Sequence, residues 1–174
     1  LLEAAALVGI GRFVFASTGY VPQTGVQLYS GMEPNILAMQ QTIGSPINTA
    51  LAPEYESDQI VNFPSAWART LTEIPGTGVV GATYDVELSN GYAYLFDQGL
   101  LKDGDTVGHI YFEGEYGENG LAGTEAVAEE LGLEVIPAQI KATDQDMSAQ
   151  ITQFAAVGVD LIAGDGIAIA LALH

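Results

Sequence analysis

The chain has no cysteine, only two histidines, one tryptophan, and four lysines and arginines in 174 residues. Without cysteine there is no disulfide, no thiolate nucleophile and no thiolate-bound metal. Neither histidine, His109 in a predicted strand or His174 at the last position, has a His or Cys neighbour at metal-ligand spacing, so His109 reads as a core or rim residue. Four cations against 22 aspartates and glutamates leave a net charge of −18. That field repels a phosphate backbone and excludes nucleic acid as a partner. A surface so acidic and poor in lysine fits salty or extracellular surroundings, and fits a plain solubilising field equally well. No Gly-x-Ser-x-Gly elbow and no phosphate-cradling Gly-x-x-x-x-Gly-Lys-Ser/Thr loop occurs. Gly9-Ile-Gly11 precedes a strand, where a dinucleotide fingerprint follows one. No apolar run approaches the roughly 20 residues of a membrane helix. No basic residues precede the apolar opening Leu1-Leu-Glu-Ala-Ala-Ala-Leu-Val, so an intact signal peptide is not expected.

What is present is an alternation of strands and helices. Hydrophobic residues make up 48% of the chain, enough for a core. Residues 107–112 form a short apolar run opening into Glu113-Gly114-Glu115-Tyr116-Gly117, a strand ending in a turn. A helix is expected next, capped by Glu118 or Asn119, with Leu121, Thr124, Val127, Ala128 and Leu131 at helical spacing and Gly132 as its stop. Residues 134–138, 144–157 and 159–163 read as strand, helix and strand. Two successive β-α-β units imply a parallel sheet covered by helices on both faces, with function sought at the strands' carboxyl ends. The same logic recurs earlier: strand 36–41, turn 42–46, helix 46–58 with Pro46 at its start, strand 60–63. A loop over 70–81, a helix over 85–99 on Val86, Tyr92, Leu95 and Phe96, and a turn over 102–105 complete the pattern. Residues 24–29 look like the first turns of a helix that Ser30-Gly-Met-Glu-Pro34 interrupts.

Chemistry is sparse. Ser45 stands where a strand turns into a helix, so its hydroxyl and nearby N–H groups lie at the positive end of a helix dipole, suited to a carboxylate. Taken alone, a serine there is more often a cap. Glu125, Glu129 and Glu130 belong to a solvated helix face. Glu113, Glu115 and Asp165 differ, because strand ends place them where an acid, a base or an ammonium-binding group would act. Asp103 and Asp105 read as a solvated turn, since no twelve-residue calcium series with a closing Glu follows.

These strand ends, in this order, are similar to those of the type I periplasmic binding proteins, the substrate-binding components of branched-chain amino acid ABC transporters. The resemblance rests on residues 107–120, on Asp146-Met-Ser-Ala-Gln-Ile-Thr-Gln153, on Val159-Asp-Leu-Ile-Ala-Gly-Asp165, and on the turns Gly44-Ser-Pro46 and Phe63-Pro-Ser-Ala-Trp67. It implies an α/β fold of two Rossmann-like lobes, here residues 1–105 and 106–174, with ligand held between them. It implies that Ser45 and Ser65-Ala66-Trp67 receive a ligand carboxylate, and that Tyr116 and the Gly164-Asp165 turn close from the other lobe. Ala68 stands where the family often has a threonine, and Trp67 adds aromatic surface, which favours a larger or aromatic acid over a small aliphatic amino acid. The resemblance further implies a small-molecule ligand, an ABC permease as partner, no cofactor, no catalysis, and a periplasmic or extracellular location with a lipid anchor as one form of it. It also implies segments absent within residues 1–35 and after His174. Two other readings use the same residues: a ligand-sensing regulatory domain, and a doubly wound enzyme using Glu113, Glu115 or Asp165 as acid or base.

Overall fold

The computed structural model describes residues 22–141, 143–144 and 146–164. The chain divides into two compact units, residues 1–81 and 82–174.

In the first unit, α1 (Pro22–Met32) leads through a short 3-10 turn (Glu33–Asn35) to β1 (Ala38–Ile43), α2 (Ser45–Asp58) and β2 (Val61–Ser65). The two strands pair in parallel. Tyr29, Met39, Ile47, Leu51, Tyr55 and Ile60 form the core between helices and strands. The interruption expected at Ser30 is not found: α1 runs on through Ser30 and Gly31, and the Ser30 hydroxyl donates to the Val26 carbonyl one turn back. Burial of Tyr29, which stacks edge-on against Tyr55 at 5.3 Å, outweighs the cost of about 1 kcal/mol that a mid-helix glycine carries. β1 lies two residues later than its apolar pattern suggests, and Gln41, with a left-handed φ of 59°, marks a register shift between Gln40 and Ile43.

The second unit is α3 (Tyr84–Asp97), β3 (Thr106–Phe112), α4 (Glu115–Leu131), β4 (Glu134–Ile140), α5 (Ser148–Val157) and β5 (Leu161–Gly164). Its strands pair in parallel in the order β4-β3-β5. Pro137, which has no N–H to donate, is tolerated because β4 pairs on one side only among the described strands. One face of β3 meets α5, with Phe154 lying over Gly108 and packing among Ile110, Ala138, Ile140 and Met147. The other face carries Val107 into a cluster with Tyr92 of α3, Val127 of α4 and Leu101 from the connection that follows α3. The buried stripe of α4 consists largely of small residues, Gly117, Gly120, Gly123, Thr124 and Ala128, which let it approach the sheet and α3 closely. Glu125, Glu129 and Glu130 face solvent, as their spacing predicts.

A lobe boundary is expected after Asp105; the compact units divide after residue 81, with α3 packing on α4 and contributing Tyr92 to its core. Two expectations need correcting. The helix expected from Glu118 or Asn119 begins at Glu115, since Gly114 with φ 94° turns the chain straight from strand into helix and Gly117 seats against the Phe112 backbone. Val86, expected on the apolar face of its helix, is 39% exposed, and Leu88 joins the cluster instead.

Candidate functional site

The parallel pairing of β1 with β2 sets the geometry of the first unit's site. Ile43 lies beside Ser65 at the carboxyl ends of the strands, so the Gly44-Ser45 turn and the Ser65-Ala66-Trp67 turn emerge as neighbours. Gly44 takes φ 97°, a conformation that costs other residues, and this sharp turn delivers Ser45 into the first turn of α2. Ser45 is 1% exposed and, among the described residues, its Oγ has no hydrogen-bond partner. A hydroxyl left so costs about 1–3 kcal/mol, which an acceptor arriving at the helix N-terminus would relieve.

The second turn is held from beside it. Ser65 and Trp67 are half-buried, and Ala66 and Ala68 are buried. The Trp67 indole N–H donates to the Val80 carbonyl at 2.6 Å, and the ring lies over Gly81, where φ is 138° and a Cβ would come within 2.8 Å of the indole nitrogen. Trp67 therefore presents a fixed aromatic surface whose polar edge is already engaged.

Beneath both turns lies a buried polar net that sequence reasoning missed. Asn48 donates through Nδ2 to the carbonyls of Thr42 at 2.9 Å and Gly44 at 2.8 Å, the two sides of the turn. Asn62, in β2, donates to Asn48 Oδ1 at 2.8 Å, and the Thr42 hydroxyl donates to Asn62 Oδ1 at 3.3 Å. None of the three is more than 2% exposed. An asparagine in the first turn of a helix and another within a strand read as ordinary surface residues; only strand register brings them together.

In the second unit, Tyr116 occupies the first turn of α4, edge-on to Tyr84 at 4.8 Å and 6.3 Å from Phe112. Asp165, the remaining expected ligand contact, lies outside the described residues, as do Gly9-Ile-Gly11 and His174. Glu113 is exposed just past β3, with its N–H on the Ile140 carbonyl, and Glu115 is half-buried. His109 is fully buried in β3, its ring 6.3 Å from that of Tyr111, in keeping with a core residue. The turn expected over 102–105 forms, but only Asp103 is solvated: Asp105 is buried, its carboxylate accepting the Lys102 N–H at 3.0 Å. Among the described residues no group of three or more His, Cys, Asp or Glu side chains is placed to hold a metal, and no helix is long and apolar enough to cross a membrane.

Comparison with known proteins adds the following. A family model described as "Periplasmic binding protein" matches residues 12–171. No curated protein matches. Among solved structures, a fatty acid ABC transporter substrate-binding protein from Thermomonospora curvata is similar with TM-score 0.86 and 41% identity, over 93% of this chain and 43% of that one. A branched-chain amino acid ABC transporter protein from Thermus thermophilus with bound valine superposes with TM-score 0.82 at 15% identity, over 97% and 46% of the two chains. A solute-binding protein from R. palustris in complex with 4-hydroxybenzoate gives TM-score 0.78 at 13% identity, over 88% and 42%. The last two likenesses concern the fold alone. This chain spans less than half the length of each of these relatives.

Proposed function

Because the chain belongs to the periplasmic binding protein family, we propose that it is part of an extracytoplasmic, secreted or lipid-anchored, solute receptor that captures a small carboxylate and presents it to an ABC permease. The observation that carries this reading is the buried, unpartnered hydroxyl of Ser45 at the N-terminus of α2, beside the Ser65-Ala66-Trp67 turn. Helix dipole and hydroxyl there suit an anion, and a carboxylate is the anion these relatives' ligands share: fatty acid, valine and hydroxybenzoate all carry one. A second lobe would close on the ligand, with Tyr116 and Asp165 contributing from it. Closure would shift with the ligand's differential affinity for the closed form. Nothing is chemically transformed in this scheme.

The rest of the ligand follows from Trp67. With its N–H engaged by Val80, the indole offers only apolar surface, which favours an alkyl or aromatic tail over a short aliphatic amino acid. The 41% identical relative named for fatty acid transport supports that choice. Trp67 is the one tryptophan of these 174 residues, and its fluorescence reports on the site. Titration with octanoate, benzoate and valine is expected to perturb that emission, with octanoate or benzoate at least tenfold tighter than valine. Ser45→Ala is expected to weaken the acid by about tenfold or more, as loss of a hydrogen bond to a charged group does. Equal affinity for Ser45→Ala and the parent would remove Ser45 from the site, and valine binding tightest would overturn the apolar-tail assignment.

A further inference from the structure

We infer that Thr42, Asn48 and Asn62 are positioning residues for the anion-binding turn, an inference that rests on the carboxylate reading above. Asn48 uses both Nδ2 hydrogens, one on the Thr42 carbonyl and one on the Gly44 carbonyl, so a single side chain clasps the turn across its bend. Gly44 also accepts the Asn48 N–H at 3.2 Å, which starts α2. The direction of the N-terminal N–H groups of α2, and of the Ser45 hydroxyl between them, is set by this clasp.

The clasp is itself held from β2. Asn62 Nδ2 occupies Asn48 Oδ1, which fixes the orientation of the Asn48 amide and so which of its atoms faces the turn. Thr42 closes the ring onto Asn62 Oδ1. Asn62 is also anchored by its backbone, its N–H on Gly76 and its carbonyl accepting from Gly78, in the strap that continues to Val80 beneath Trp67. One buried residue thus links the Ser45 turn, strand β2 and the segment that holds Trp67.

Stability alone does not call for amides here, since replacing both members of a buried hydrogen-bonded pair by apolar groups of the same shape can be nearly neutral or stabilising. What the amides supply and apolar groups do not is direction. A turn that must meet an anion with its donors already aimed avoids the cost of ordering them on binding.

The test uses the protein at its complete natural length, with octanoate as probe, titrated calorimetrically, and hydrogen exchange in the ligand-free state. Asn48→Leu/Asn62→Leu replaces both amides by side chains of similar size, Thr42→Val removes only the hydroxyl, and Thr42→Ser retains it. The double variant is expected to lose about tenfold or more in octanoate affinity, and Thr42→Val a smaller factor, while Thr42→Ser binds as the parent. In the double variant the residue 48 amide is expected to exchange faster while the amides of residues 52 and 54–58 of α2 keep their protection. If the double variant does not fold, the Thr42→Val and Thr42→Ser pair carries the comparison. Unchanged affinity in the variants overturns the inference, as does loss of protection throughout the first unit, which would make the amides a structural support only. A parent protein that binds none of octanoate, benzoate or valine overturns the carboxylate reading itself, and the exchange measurement still decides whether the net holds the turn.

Discussion

Two tyrosines of the first core show how single residues set this protein's response to pH. Tyr29 and Tyr55 are almost fully buried, 2% and 1% exposed. Burial raises the phenol pKa of both: Tyr55 is pushed up to about 12, with the nearby Thr42 hydroxyl opposing the shift, and Tyr29 rises further because its O–H donates to the Asp58 carboxylate at 3.0 Å. Each phenol holds its proton more tightly folded than unfolded. Their contribution is therefore fully present below the unfolded value of 10.0 and is lost as pH rises from there through the folded value. Stability measured by urea unfolding is expected to be insensitive to these groups at pH 8 and to fall steeply from pH 10 to 12. Tyr55→Phe is expected to flatten that fall; an unchanged slope would show that other groups govern the alkaline limb. In the acid direction, Asp146 has its pKa lowered by accepting the Ser148 hydroxyl and N–H just ahead of α5, which begins at Ser148 where the sequence suggests Asp144.

At the scale of elements, glycines divide into those that permit contact and those that merely interrupt a helix. Gly123 of α4 meets the Asp85 backbone of α3 so closely that any Cβ would collide with main-chain atoms, and the Ser89 hydroxyl reaches across to the Gly123 carbonyl at 3.1 Å. Backbone does not yield as a flexible side chain would. Gly123→Ala is expected to destabilise the second unit by about 1–3 kcal/mol, the usual cost of overpacking. Gly91 of α3 faces open space: its backbone is helical, and a Cβ added there would meet nothing within 4 Å. Gly91→Ala is expected to stabilise by about 0.5–1 kcal/mol through helix propensity. Opposite shifts in thermal midpoint for the two substitutions would confirm that α3 and α4 meet through Gly123; a neutral Gly123→Ala would contradict it.

For the molecule as a whole, charge is the dominant property. With 22 acidic and four basic residues, like charges repel throughout the folded chain, and the ion pair of Lys102 with Asp105 at 3.9 Å is a turn contact that joins near neighbours in sequence. Salt shortens the reach of that repulsion from about 30 Å at 0.01 M to about 3 Å at 1 M. The melting temperature is expected to rise by several degrees as sodium chloride is increased over that range at pH 7. A melting temperature that stays level or falls would show that the acidic groups are spaced too widely to oppose folding.

Much of this organisation is readable from residue order, because local physics determines it. Periodicity and glycine stops place α4 and its end at Gly132, and the alternation of strand and helix demands parallel sheets; the family resemblance groups Ser45 with Ser65 and Trp67, and the β1–β2 register sets Ile43 beside Ser65. Tertiary structure decided what depends on partners distant in the chain. The amphipathic face of α3 says that it packs, and only its contact with α4 says that it belongs to the second unit. Ser30 and Gly31 look like a break until the burial of Tyr29 against Tyr55 holds the helix through them. Thr42, Asn48 and Asn62 carry no signal as separate letters, since hydrogen bonds between side chains up to 20 positions apart exist only once strand register has brought their donors and acceptors within reach.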